Sequence, residues 1–403
     1  MVVQEISPIT LRDELCSRCT VCLSACPVEA ISRHEDQIVI DLDKCTLCGI
    51  CASVCPSGAI VPYYYGSNTL IEGIGAKSLE EGISLEEGIS LVVACRGSTP
   101  PDDELLDTVE GLNVERAILM RIPCVGRLPS LFYISALSMG IKQIIVIQCE
   151  QDFCRFDKGS VMNQRRVTML RNLLKPFGYA NNIITVIERA KQVEYDTAKC
   201  VGCDKCINIC PYGAIEAQPL ATPKVDYTKC TGCGACVVVC PHVALEIHGH
   251  ECARFAELIM EYADRMKKIR ARSPAILVLC CQWAEFASLD QNHSGVDKPN
   301  TAILEIPCFS KLDPINVFQA LLYGFDGVLV VACSDDDCRS KESRLATENN
   351  MKVLRTSLRM MGLENRFRIH KTSPKNLGDF KHEVDSFTNE ILALKGGQEA
   401  KHE

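Results

Sequence analysis

The sequence predicts an α/β plus α+β protein in which two small cysteine-rich modules alternate with two parallel-sheet domains, an internal tandem duplication of a unit of about 185 residues. Three observations predict it. The chain has 403 residues and 26 Cys, and sixteen of those Cys fall in four copies of one spacing. Eight of the others form two sets with nearly the same intervals. Around those two sets, continuous Val/Ile/Leu runs alternate with helical stretches, the pattern of a parallel sheet buried on both faces.

The four runs read C-x2-C-x2-C-x3-C followed by Pro. They are Cys16, Cys19, Cys22 and Cys26; Cys45, Cys48, Cys51 and Cys55; Cys200, Cys203, Cys206 and Cys210; and Cys230, Cys233, Cys236 and Cys240. Three closely spaced Cys on a tight loop can wrap three irons of a cubane. The fourth is expected to be carried off at the start of a helix, with Pro27, Pro56, Pro211 and Pro241 at first helical positions. The spacing resembles that of bacterial two-cluster ferredoxins, in which the fourth Cys of a run ligates the other cluster. The resemblance implies four crossed ligand sets for four [4Fe-4S] clusters. These are Cys16, Cys19, Cys22 and Cys55; Cys45, Cys48, Cys51 and Cys26; Cys200, Cys203, Cys206 and Cys240; and Cys230, Cys233, Cys236 and Cys210. Short strands are expected beside the runs, at Ala30–Ile31 and Ile38–Ile40 and at Ala214–Glu216 and Lys224–Asp226.

The two further sets are Cys95, Cys124, Cys149 and Cys154, at intervals of 29, 25 and 5, and Cys281, Cys308, Cys333 and Cys338, at intervals of 27, 25 and 5. Corresponding Cys of the two halves lie 184 to 186 residues apart, which defines the repeat. The expected domains are 1–66 and 191–249 for the cysteine-rich modules, 67–190 and 250–395 for the sheet domains, and 396–403 for a tail.

In the first sheet domain the expected strands are Ser90–Cys95, Arg116–Met120, Gln143–Gln148 and Ile183–Ile187, with helices near 129–139 and 161–175. In the second they are Ala275–Leu279, Ala302–Ile306, Gly327–Ala332 and Phe367–His370, with helices near 314–323 and 341–361. Cys95, Cys149, Cys281 and Cys333 each follow a strand, and sites in such sheets form beyond the carboxyl ends of strands. Four thiolates at one edge suit an iron–sulfur group, zinc, two disulfides, or plain small hydrophobes.

The segments LVLCCQW at 277–283, IPC at 306–308 and FDGVLVVACSDDDC at 325–338 resemble the delta subunit of methyl-viologen-reducing hydrogenase, an electron carrier between hydrogenase and heterodisulfide reductase. That resemblance implies a flavodoxin-like domain with a [2Fe-2S] cluster on Cys281, Cys308, Cys333 and Cys338 and, through the weaker first copy, another on Cys95, Cys124, Cys149 and Cys154. Cys280 beside Cys281 is the competing ligand, and Ala94 at its position in the first half favours Cys281. The single CC pair with C-x4-C does not match the disulfide-cleaving cluster of heterodisulfide reductase.

Other functions fit less well. A net charge of −8 argues against nucleic-acid binding by charge neutralisation. No apolar run reaches the length of a membrane span, and the N-terminus lacks a signal peptide, so a cytoplasmic protein is expected. Gly73–Ser78 lacks the full spacing of a phosphate loop, and 78–90 reads as a linker or short helix.

The resulting expectation is a non-catalytic iron–sulfur electron-transfer subunit of an anaerobic oxidoreductase complex. It would link a hydrogenase or formate dehydrogenase type subunit to a heterodisulfide-reductase-like flavoprotein in a hetero-oligomeric, electron-bifurcating assembly. No residue is assigned a catalytic role. A soluble polyferredoxin is the alternative, and a thiol or disulfide reductase, motivated by Cys280 alone, is the third reading.

Overall fold

A computed structural model describes residues 7–80, 82, 84, 88–97, 109, 114, 116–190, 192–219, 221–269, 273–284 and 300–399. The chain divides into two compact units, Met1–Lys191 and Gln192–Glu403.

The first unit opens with β1 (Ile9–Leu11), which pairs antiparallel with β4 (Ile60–Pro62), Ile9 opposite Pro62. Between them lie α1 (Val21–Ala25), the hairpin of β2 (Ile31–His34) with β3 (Gln37–Ile40), and α2 (Ile50–Val54). The pairing of β1 with β4 was not expected from the spacings, because three-residue strands carry too little pattern to be read.

A sheet follows. Strands β5 (Ser90–Cys95), β6 (Ala117–Ile122), β7 (Gln143–Cys149) and β8 (Ile184–Arg189) lie in the order β6-β5-β7-β8, all parallel. Every residue of β5 is buried, as expected of an apolar run covered on both faces. Leu91 and Val93 face a core built with Phe132, Tyr133 and Ala136 of α4 (Ser130–Ser138) and Val167 and Leu170 of α5 (Gly159–Leu174). Helix α3 (Ser67–Glu80) adds Leu70 and Ile74 to that core. The Gly73–Ser78 stretch is therefore the interior of a helix, whose backbone N–H groups serve the helix rather than a phosphate. Positions 81, 83 and 85–87 of the expected 78–90 linker lie outside the described residues.

The second unit has the same element order. Strand β9 (Val193–Tyr195) pairs antiparallel with β12 (Leu245–Ile247) around α6 (Lys205–Ile209), the hairpin of β10 (Ile215–Gln218) with β11 (Ala221–Val225), and α7 (Ala235–Val239). Its sheet contains β13 (Ile276–Cys281), β14 (Thr301–Ile306), β15 (Gly327–Cys333) and β16 (Phe367–Thr372), in the parallel order β14-β13-β15-β16. Helices α8 (Cys252–Ile269), α9 (Pro314–Tyr323) and α10 (Lys341–Met360) pack on one face through Phe255, Ile259, Val317, Ala320, Leu354 and Leu358. Helix α11 (Asp379–Glu399) lies against β15 and β16. It was absent from the sequence expectation, since its mixed polar composition shows no clean apolar stripe.

Candidate metal centres

Each Cys run builds the same local structure. The residue after the second Cys is left-handed: Thr20 (φ 63°), Gly49 (φ 79°), Asp204 (φ 56°) and Gly234 (φ 80°). A five-residue helix follows at once, carrying the third Cys. The fourth Cys (Cys26, Cys55, Cys210, Cys240) is the residue that ends this helix, in extended conformation. This corrects the expectation of a helix beginning there. The following Pro lies in a turn, because a ring without an N–H cannot continue the helix that has just ended.

The short helices of each module lie side by side, and this brings each fourth Cys to the other run. The thiols whose charge acts on Cys22 are those of Cys55, Cys19 and Cys16, while burial is the main force raising its pKa. Burial likewise raises Cys51, and there the neighbouring thiols are Cys48, Cys45 and Cys26. In the second unit Cys206 neighbours Cys200 and Cys240, and the strongest thiol neighbours of Cys236 are Cys233, Cys230 and Cys210. These neighbours are compatible with the crossed sets that the ferredoxin resemblance implies.

Backbone N–H groups point at several of these sulfurs. Ala30 N–H donates to Cys26 Sγ at 3.2 Å, Ala244 N–H to Cys240 Sγ at 3.3 Å, and Gly202 N–H to Cys200 Sγ at 3.4 Å. Burial works against the Cys55 thiolate, yet the Ser57 hydroxyl and the N–H groups of Ile60, Ala59 and Ser57 hold its pKa below the usual thiol value. Four-thiol sets with such donors fit the thiolate ligands of an iron–sulfur group.

The two sheet sites lie at the carboxyl ends of the strands. Cys95 ends β5 and Cys149 ends β7, with their Sγ atoms 3.5 Å apart; Cys124 follows β6, and Cys154 follows a short turn after β7. All four are buried. Cys154 is pulled down to about 5, first by a hydrogen bond with Cys124 and then, against burial, by N–H groups of Ser160 and Phe156. Two glycines line this site. A Cβ on Gly159 would lie 2.4 Å from Cys124 Sγ and 3.3 Å from Cys154 Sγ, and a Cβ on Gly126 would lie 2.7 Å from Gly159 Cα. The cradle over the two sulfurs therefore depends on missing side chains, which fits a group bound there.

In the second unit, Cys281 Sγ and Cys333 Sγ are also 3.5 Å apart, and Cys308 and Cys338 are buried beside the same strand ends. The positions of Gly126 and Gly159 are taken by Ser310 and Ser343, whose hydroxyls are 2.7 Å apart, with Cys308 Sγ 3.4 Å from Ser310 Oγ. Asp335, in the acidic run before Cys338, is paired with Arg344 and Lys371, each at 2.9 Å. Among the described residues no three His, Cys, Asp or Glu side chains converge as a lone metal ion requires.

The strand pattern separates Cys280 from Cys281. Side chains alternate along a strand, so Cys281 shares the face of Leu277 and Leu279 and Cys280 takes the other. Cys280 is 0% exposed, which removes it from the reach of a disulfide substrate. Cys280→Ala is expected to leave the iron content of the purified protein unchanged and to cost about 1 kcal/mol of stability. Cys281→Ala is expected to lower iron by about two atoms, the content of one [2Fe-2S] cluster. Iron analysis with thermal unfolding checks the pair.

Within each unit the module and the sheet site adjoin one another, which spacing alone did not reveal. Helix α2 packs on the turn Val125–Arg127, and helix α7 on the turn Phe309–Lys311. The Ser53 hydroxyl donates to Gly126 O at 2.8 Å, Arg166 Nη2 donates to Ser53 Oγ at 2.9 Å, and Lys158 Nζ donates to Cys26 O at 3.0 Å. The thiol of Cys48 acts on Cys124, and that of Cys308 acts on Cys233. In both units the second run's set is thus the one next to the sheet site.

Comparison with known proteins agrees with this geometry. Residues 15–59 and 199–244 match the 4Fe-4S dicluster domain. The chain is 32% identical over 212 residues to a component of the ferredoxin:CoB-CoM heterodisulfide reductase of Methanosarcina mazei, covering 52% of this chain and 26% of that protein. It is 29% identical over 93 residues to an F420-non-reducing hydrogenase iron–sulfur protein of Archaeoglobus profundus, covering 23% of this chain and 68% of that one. The corresponding hydrogenase iron–sulfur protein of Methanococcus voltae is 23% identical over 126 residues, or 30% and 86% of the two chains. The chain spans about a quarter of the length of the heterodisulfide reductase components it matches. Residues 92–201 and 276–395, together more than half of the sequence and including all eight sheet-site cysteines, match the family described as methyl-viologen-reducing hydrogenase, delta subunit. The chain belongs to that delta-subunit family, and carries 4Fe-4S dicluster domains alongside it.

Proposed function

We propose that the chain is an iron–sulfur electron-transfer subunit built from two copies of one unit, each a two-cluster module followed by a flavodoxin-like domain. The four crossed sets hold four [4Fe-4S] clusters. Cys95, Cys124, Cys149 and Cys154 hold a [2Fe-2S] cluster, and Cys281, Cys308, Cys333 and Cys338 hold another. When bound, such clusters supply one-electron transfer. The residues of the chain do the rest: they bind, they bury, and they place one set beside the next. The observation that carries this reading is the packing of α2 on the turn after Cys124 and of α7 on the turn after Cys308, which brings the second-run cysteines beside the sheet site within each unit. Cys19 and Cys203, in the first-run sets away from the sheet sites, are exposed and suit exchange with a partner.

The partners follow from the relatives. A chain similar to components of both a heterodisulfide reductase and a hydrogenase fits a place between a hydrogenase or formate dehydrogenase type protein and a heterodisulfide-reductase-like flavoprotein, in an anaerobic cytoplasmic complex. No described helix is long and apolar enough to cross a membrane.

The test is iron and acid-labile sulfide per chain, with Mössbauer spectra, on anaerobically purified protein. Four cubanes and two two-iron clusters require about 20 iron atoms. A value near 16 without a two-iron component would leave the sheet domains as scaffolds and return the chain to a polyferredoxin.

A further inference from the structure

Each unit buries a cation in the turn after its second sheet cysteine, where the cysteine-rich module meets the sheet. In the first unit this is Arg127, the third residue after Cys124 and 3% exposed. Its Nη2 donates to Leu47 O at 3.2 Å, and its guanidinium lies 5.4 Å from the centre of the Tyr65 ring. Its side chain covers Gly49, where a Cβ would lie 2.6 Å from Nε. Leu47 and Gly49 flank Cys48, and Arg127 ends the turn that follows Cys124, so the cation lies between the two cysteine sets.

In the second unit the third residue after Cys308 is Lys311, 6% exposed. It covers Gly234, where a Cβ would lie 2.8 Å from Lys311 Cδ, and its Nζ is 3.6 Å from Cys252 Sγ. Position in the chain and the glycine beneath are the same in both units, while the headgroups and their partners differ.

This arrangement also explains why the second runs carry Gly where the first runs carry Thr20 and Asp204. All four positions are left-handed, a conformation that Gly adopts freely, Asp adopts at modest cost and Thr adopts only under strain. Only Gly49 and Gly234 have a basic side chain lying on them.

We propose that Arg127 and Lys311 tune and position the two cysteine-bound groups between which they lie, each raising the reduction potential of the second-run set and of the adjoining sheet set. This rests on the function proposed above. Reduction of either group adds one electron and one negative charge, and asks no proton or bond change of the cation. A fixed positive charge in a dry interface favours that added charge strongly, since little water screens it. Net charge and hydrogen bonding beside a cluster are established levers on its potential. Arg127 spreads its charge over a planar fork anchored on Leu47 O and Tyr65, whereas Lys311 is a point charge on a flexible stem, so the two units are tuned differently.

The experiment is a redox titration of the full chain followed by EPR, with iron and sulfide measured first. The variants are Arg127→Gln, Arg127→Lys and Lys311→Met. With iron content unchanged, Arg127→Gln is expected to disfavour reduction of one [4Fe-4S] and one [2Fe-2S] signal by at least tenfold, about 59 mV for one electron. Arg127→Lys is expected to restore most of that, and Lys311→Met to move a different pair of signals. Full iron content with all potentials unmoved in Arg127→Gln and Lys311→Met overturns the proposal. If Arg127→Gln sheds iron, Lys311→Met decides, because its stem keeps the packing on Gly234: a shifted pair supports the proposal and an unmoved pair overturns it. A wild-type chain that holds no cysteine-bound iron defeats the functional reading itself, before any variant is compared.

Discussion

Cys26→Ala is expected to remove about four iron atoms per chain, and to remove them from the group completed by Cys45, Cys48 and Cys51, not from the run in which Cys26 lies. The reason is the crossing. Cys26 ends helix α1, which lies beside α2, and its thiol is among the neighbours of Cys48 and Cys51. A cubane with three ligands loses the sulfur that closes its fourth corner, and alanine offers no donor. The loss is assigned by combining variants. If Cys26 and Cys45 serve one group, Cys26→Ala with Cys45→Ala loses no more iron than either alone, because the two act as a unit. Cys26→Ala with Cys16→Ala then loses about eight atoms, two cubanes. The reverse pattern, with Cys26 and Cys16 failing to add, would show an uncrossed arrangement. Because Cys48 also adjoins Cys124, the sheet site's EPR signal in Cys26→Ala is expected to lose any broadening caused by a paramagnetic neighbour.

Gly159→Ala is expected to have the next largest effect. The added Cβ would lie 2.4 Å from Cys124 Sγ, and no rotamer relieves a clash made by Cβ itself. Retreat of the backbone is limited on one side by the close approach of Gly126, where even a Cβ would find no room against Gly159. The variant should lose about two iron atoms and about 1–3 kcal/mol of stability, the usual cost of overpacking a closed site. The reciprocal change in the second unit, Ser343→Gly, removes a hydroxyl that pairs with Ser310 but introduces no clash, so its iron content should stay whole. Iron analysis and anaerobic thermal unfolding of the two variants check both halves. Gly159→Ala with full iron and an unchanged melting temperature would mean that the cradle over Cys124 is not needed to hold a group.

The elements that carried the longest patterns were legible in the chain. The strands ending at Cys95, Cys149, Cys281 and Cys333 are continuous apolar runs, and a run buried on both faces reads the same way before and after folding. The four cysteine runs were legible because their spacing is local, whereas the crossing between runs came from the ferredoxin resemblance. The repeat favours Cys281 over Cys280, and strand alternation separates the two onto opposite faces. The end of each short helix was misread. Pro is welcome at a helix start and just past a helix end, and one Pro after one Cys does not distinguish the two.

What the sequence determined by itself, then, is where the longer sheet strands lie and where along the chain each cysteine run and set recurs. These depend on apolar runs and on spacing along the chain. What only the tertiary structure decided is which sets adjoin. Arg127 meets Gly49 across 78 residues and Lys311 meets Gly234 across 77, and no local rule of spacing connects positions so distant. The order of the sets within a unit, and the cation between them, arise from the packing of one helix on one turn after both have formed. The physical reason is that chain-local geometry is dictated by dihedral preference and side-chain period, whereas the juxtaposition of preformed elements is set by shape and charge that appear only once each element has folded.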